Sequence, residues 1–297
     1  MHCNASSTTA YAVPFRFASV VILLAAGTCF SEAVQVSGRT HHHPKIHRVS
    51  VSEDVLPSPE IDDRVELEVA KAKEILDNLD SANILDSPYL VSAIYYHDGF
   101  LTDFPTDLRT ADPERRIVGR ISRMLSPESK ARFVCLLHNA WIDAAPEGPA
   151  VFALPVNYIY LGGPQAHNDA IDMFAPEGTS VHSASRGVVI MADRDWSFYD
   201  VFSAASRKGG NAVIIFDPDN DCFYRYCHLS TISVCSGDIV ESGQIIGEVG
   251  HTGLNASQPG HGNHLHFEVN EYLYGHVRAL EYRELRGMVD SWSMPSP

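Results

Sequence analysis

Beyond Gly148 the chain breaks into short runs rich in β-branched and aromatic residues, and this pattern constrains its fold more than any other feature. The runs fall at 151–154, 187–191, 211–216, 223–228 and 264–269, parted by Gly, Asp and Asn turns such as Asp217-Pro218-Asp219-Asn220. Because such runs do not alternate with full-length helices, a doubly wound parallel sheet is disfavoured and an antiparallel sheet or sandwich is predicted.

Before Gly148 the texture differs. Ile61, Val65, Leu67, Val69, Ala70, Ala72 and Ile75 recur among charged residues at roughly helical spacing. Asp112-Pro113 and Ser126-Pro127 each set a capping residue before a proline, which opens helices over about 113–125 and 127–141. The chain is therefore expected to be α+β: a small helical domain over 60–148, an antiparallel β-sheet or sandwich domain over 149–285, and a short tail over 286–297.

At the start, Arg16 precedes the apolar stretch 17–26, and small residues follow as far as Ala33. This reads as a cleavable secretory signal over 1–33, because a membrane span needs about 20 apolar residues. A polar linker over 34–59 follows, in which His41, His42, His43 and His47 read as solvated. The mature chain is thus expected outside the cytoplasm, periplasmic or extracellular and associated with the cell wall, without stable membrane insertion. Cleavage leaves Cys135, Cys222, Cys227 and Cys235, with no C-x-x-C spacing to suggest a zinc knuckle. One disulfide or buried free thiols are both open. The net charge of −15, from 37 acidic against 22 basic residues, argues against nucleic acid as a partner.

Chemistry concentrates around His264-Leu265-His266. Residues two apart in a strand point to one face, so both imidazoles enter one cleft while Leu265 turns to the other side. Upstream stand His167, Asp172 and His228. Two imidazoles and a carboxylate make a three-ligand zinc site with a fourth position open to water, the catalytic rather than the structural arrangement. No G-x-S-x-G elbow, P-loop or G-x-G-x-x-G fingerprint is present.

These residues lie within a longer string that resembles the LytM-like, or lysostaphin-type, zinc endopeptidases. Asp172 is followed by Ala175-Pro176-Glu177-Gly178-Thr179, then Gly210-Asn211 and a strand to Ile214. Next come Tyr226-Cys227-His228-Leu229-Ser230, the turn from Val234 to Gly247, and His264-Leu265-His266-Phe267-Glu268. Order and spacing match over roughly 150–270. The resemblance implies His167, Asp172 and His266 as zinc ligands, and His264 as the group that takes or relays the proton of the attacking water. It implies His228 as a donor to the tetrahedral oxyanion. The implied reaction is amide hydrolysis in peptidoglycan, at the cross-linking stem peptide or its glycine bridge. The alternative is a non-catalytic LytM-like module that binds the wall or activates another cell-wall hydrolase.

The sequence departs from the family at one ligand. The usual histidine stands four residues before the aspartate, where this chain has Asn168, and Ala170 replaces the usual glycine. His167 is one residue early, so the choice is between a shifted ligand and a site without its first histidine. Two ligands of one zinc lie within roughly 4 Å of each other, so the chain between them must turn, and a turn absorbs an extra residue. His167 is accordingly the expected ligand. His182, His251 and His261 are read as exposed loop residues, and His97 and His138 as ordinary helical or packing residues.

Overall fold

The structure is a computed structural model that describes residues 59–96, 112–148, 150–165, 167–198, 202 and 208–294. The expected signal, the histidine run at 41–47 and His97 lie outside the described residues. Among the described residues no helix is long and apolar enough to cross a membrane.

Helix α1 (Pro59–Asp77) turns Val65, Val69, Ala72 and Ile75 inward, as its spacing predicted. Helices α3 (Pro113–Ser122) and α4 (Pro127–Ala144) begin at the two prolines, and the Ser126 side chain caps α4 by accepting from the Ser129 N–H at 3.2 Å. Helix α2 (Pro88–Tyr95), capped by Ser87, carries no polar stripe: every residue from Tyr89 to Tyr95 is buried. That absence of a period is why the sequence did not announce it.

Among the described residues eleven strands follow. The large sheet runs in the order β1 (Tyr160–Leu161), β2 (Ile171–Phe174), β10 (His264–Leu273), β6 (Cys222–Cys227), β5 (Ala212–Asp217), β4 (Gly187–Asp193) and β8 (Ile239–Val240), with β11 (His276–Ala279) also paired to β10. A second sheet joins β3 (Ser180–His182), β9 (Ile245–Val249) and β7 (Leu229–Ile232). Every pairing between these strands is antiparallel, as expected. The run at 151–154 forms no strand; Ala153 makes only an isolated bridge to Ser293. Helix α5 (Tyr282–Ser291) opens on a capping box of Glu281 and Glu284 and carries Leu285 and Val289 into the core, so it runs across the expected boundary at 285. His182 is partly buried on β3 rather than in an exposed loop, with its Nδ1 bonded to the Gly243 carbonyl at 2.8 Å.

The strand alternation sorts the core into two layers. Met173, Val213, Ile215, Tyr224, Leu265 and Phe267 face the second sheet and α5. On the opposite face Val188, Ile190, Ile214, Phe216 and Phe223 join one continuous core with the residues of α1 to α4. The helices are thus a layer laid on the sheet, and each large apolar side chain buried there contributes on the order of 1.5–3 kcal/mol. By the same alternation, Asp172 and Phe174 on β2 and His264, His266 and Glu268 on β10 occupy that helical face. Cys222 and Cys227 are buried, Cys135 and Cys235 are exposed, and all four are free thiols.

Candidate metal and catalytic site

The pairing of β2 with β10 sets His266 opposite Asp172 and His264 opposite Phe174. Register alone therefore brings the aspartate and the second histidine together across 94 residues of sequence, with His266 Nδ1 2.8 Å from Asp172 Oδ1. His167 arrives from a bend at 168–169, and its Nε2 lies 3.5 Å from Asp172 Oδ2. Asn168 is exposed, and its carbonyl accepts from the Tyr282 N–H at 2.7 Å. The loop is closed by Gly162, which donates to the Asp172 carbonyl at 2.8 Å and accepts from the Tyr282 hydroxyl at 2.7 Å. The bend thus brings His167 rather than Asn168 to the aspartate.

One ligand atom from each of His167, Asp172 and His266 falls within 4.8 Å of the others. Ligands held 2.0–2.2 Å from a tetrahedral zinc lie about 3.4 Å apart, so small side-chain adjustments suffice and the three residues fit such an ion. The second nitrogen of His266 adds to the fit: Nε2 donates to Glu268 Oε1 at 2.8 Å, which leaves Nδ1 to face the cluster, where a bound metal would displace the proton it shares with Asp172. A carboxylate on the far side of a ligating imidazole fixes its tautomer and orientation.

Electrostatics follow the same contacts. Burial alone would raise the Asp172 pKa, but the hydrogen bond from His266 and the charges of His266, His264 and His167 hold it down to about 2. Burial would lower that of His266, yet its hydrogen bonds to Asp172 and Glu268 lift it to about 9. Burial opposes ionisation of Glu268 as well, and Arg225 and His266 overcome it, pushing the carboxyl well below the usual range. His167, His264 and His228 all move down, in each case chiefly through burial.

His264 and His228 flank the cluster. The His264 Nδ1 donates to the Gly262 carbonyl at 3.0 Å, so its bare Nε2 points inward, 4.0 Å from Asp172 Oδ1. Phe174 stacks on the His264 ring at 5.0 Å, and the half-exposed Tyr160 stacks on Phe174 at 4.4 Å. His228 sits between β6 and β7 in the left-handed region, at φ 65, with its ring 4.7 Å from that of His264. Its Nδ1 donates to the Thr252 carbonyl at 2.7 Å, which leaves Nε2 without a proton in the neutral ring.

Thr252 is held in place by a short network that sequence reasoning missed. Its hydroxyl donates to the Leu229 carbonyl at 2.9 Å and accepts from the Asn211 N–H at 3.0 Å. Gly210, at φ 69, lets the two loops close: a Cβ there would stand 2.4 Å from the Thr252 carbonyl carbon. Glu268 and Tyr95 were missed too, although the even spacing of Glu268 from His264 and His266 already put it on their face. His251 and His261 are exposed, and His251 lies 3.6 Å from Glu177. His138 lies away from the site, bonded to Asp221 at 2.8 Å and edge-on to Phe216.

Residues 166–279 match the model of Peptidase family M23. Lysostaphin from Staphylococcus staphylolyticus is 36% identical over 104 residues, covering 34% of this chain and 18% of that protein. Glycyl-glycine endopeptidase ALE-1 from Staphylococcus capitis is 33% identical over 108 residues, 36% of this chain and 26% of that protein. DD-carboxypeptidase/endopeptidase Mpg from Neisseria meningitidis is 36% identical over 99 residues, 33% of this chain and 19% of that protein. The chain thus spans roughly a fifth to a quarter of the length of these relatives. The matched segment takes in all five chemical side chains, and it is a LytM-like peptidase domain of family M23.

Proposed function

We propose that the chain is a zinc-dependent endopeptidase that hydrolyses amide bonds of peptidoglycan, in cross-link stem peptides or glycine bridges, after export from the cytoplasm. The observation that carries this reading is the convergence of His167, Asp172 and His266 on one point, beside an imidazole whose bare nitrogen faces that point. The names of the relatives, a glycyl-glycine endopeptidase and a DD-carboxypeptidase/endopeptidase, support the wall-peptide substrate class without choosing between the two bonds.

His167, Asp172 and His266 would hold the zinc. When bound, zinc lowers the pKa of a coordinated water to about 7 and polarises the scissile carbonyl. His264 accepts the water's proton at Nε2, since Gly262 keeps its other nitrogen protonated, and carries it to the leaving amine. His228 contributes at the oxyanion through Nε2: the resting ring is neutral, with its one proton given to Thr252, and it becomes a donor by taking a proton from solvent as negative charge develops on the carbonyl oxygen. Phe174 fixes the plane of His264 by stacking, and the exposed Tyr160 extends that wall towards the substrate side.

The test is elemental analysis of the purified chain together with His167→Ala and Asn168→Ala. The reading expects one zinc per chain, lost with His167→Ala and kept with Asn168→Ala, and chelator-sensitive cleavage of peptidoglycan. No metal after zinc loading would overturn it.

A further inference from the structure

We propose that Tyr95, on helix α2, is a positioning residue for His266, acting through Glu268, so that the helical layer is a working part of the metal site. This rests on the reading that His266 holds the metal. Tyr95 lies outside the segment that matches family M23.

Glu268 is the hinge of the inference. Its Oε1 accepts the Nε2–H of His266 at 2.8 Å, while Arg225 approaches both of its oxygens through one nitrogen, at 3.0 and 3.3 Å. A carboxylate gripped through a single nitrogen still has freedom to swivel about it. The Tyr95 hydroxyl removes that freedom by donating to Oε2. With both oxygens occupied, the carboxylate plane is set, and with it the direction in which the His266 ring is held.

Tyr95 is itself well anchored. Its side chain is 1% exposed, its ring meets Phe223 edge-on at 6.1 Å, and the Arg225 guanidinium lies 5.7 Å from its centroid. At the end of α2 its backbone carbonyl accepts the Asn270 side-chain N–H at 3.1 Å. Asn270 and Glu268 are two apart on β10, so they share a face, and α2 is clamped to the strand of the ligand at two points. A fixed hydroxyl on a clamped helix end is the arrangement a positioning contact requires.

The experiment compares the full chain with Tyr95→Phe, reading the zinc dissociation constant by chelator competition and the visible spectrum of the cobalt-substituted chain. Tyr89→Phe is the control. It deletes the same atom from the same helix, where the hydroxyl donates to the Phe202 carbonyl at 2.5 Å and not to Glu268. Tyr95→Phe should raise the zinc dissociation constant about tenfold, the low end of the 10–100-fold range for such outer contacts, and shift the cobalt bands. Tyr89→Phe should do neither. If Tyr95→Phe leaves both readouts unchanged, or if both variants weaken zinc alike, the positioning role is overturned. Should Tyr95→Phe fail to fold, hydrogen exchange on the unaltered chain decides: zinc should slow the amides of α2 more than those of α1, and equal slowing overturns the inference. An unaltered chain that takes up no zinc would instead sink the proposed function itself.

Discussion

Gly210→Ala gives the sharpest separation between holding the metal and performing the reaction. The alanine would sit at φ 69, a conformation that costs an L-residue roughly 1–2 kcal/mol. Its Cβ would also stand 2.4 Å from the Thr252 carbonyl carbon and 2.5 Å from the Gly253 nitrogen, backbone atoms that cannot rotate away. The loop at 252–253 must retreat by something on the order of 1 Å, and the Thr252 carbonyl that orients His228 moves with it. A displacement of that size costs on the order of 10²-fold in rate. None of the three candidate ligands touches Gly210 through its hydrogen bonds, so zinc content should hold at the unaltered value. Gly237→Ala is the reference: its φ is 93 but nothing lies within 4 Å of the added Cβ, so it should lower stability by roughly 1–2 kcal/mol and leave activity unchanged. Zinc stoichiometry, initial cleavage rates and urea midpoints on the three proteins make the comparison. Full activity in Gly210→Ala, or loss of zinc in step with activity, would refute the reasoning that Thr252 acts through His228.

Burial holds the His264 and His228 pKa values below the ordinary imidazole value of 6.5, and the neutral form of His264 is the one that accepts a proton. The acid limb of kcat/KM should therefore be centred below 6.5; an acid limb centred at 7 or above contradicts this assignment. Ile94→Ala, at a fully buried position where α2 meets the sheet, should cost about 2–5 kcal/mol in urea unfolding. Leu67→Gln, at a position 66% exposed on α1, should stay within about 0.5 kcal/mol. Chelation should lower Tm, and free zinc at a hundred times its Kd should restore about 2.7 kcal/mol of stability; a Tm indifferent to both treatments would argue against metal at this site.

Much of this arrangement was legible from residues alone, because local chemistry wrote it. Proline after a capping residue marked the starts of α3 and α4, and alternation in β10 turned His264 and His266 to one face. Helix α2 escaped because a helix buried on all sides has no period. The run at 151–154 looked like a strand by composition, but only Ala153 finds a pairing partner, so propensity yielded to tertiary context. Thr252 and Tyr95 were invisible for another reason. Their importance lies in single contacts to His228 and Glu268, 24 and 173 residues away, and no local pattern encodes a partner at that distance. The shifted His167 was legible as a question, and the bend at 168–169 is what brings it to Asp172.

The continuous core between the helices and one face of the large sheet bears on how this chain could be engineered. Cutting the chain at the end of α4 would uncover Val188, Ile190, Ile214, Phe216 and Phe223 together, a contiguous apolar wall built from β4, β5 and β6. Such a patch invites self-association. The segment that matches family M23 is therefore not a cassette to be excised and grafted behind a new targeting module. A chimera must carry the helices along or repaint that wall with polar residues, and a repainted chimera without α2 would still lack the Tyr95 hydroxyl that Glu268 leans on.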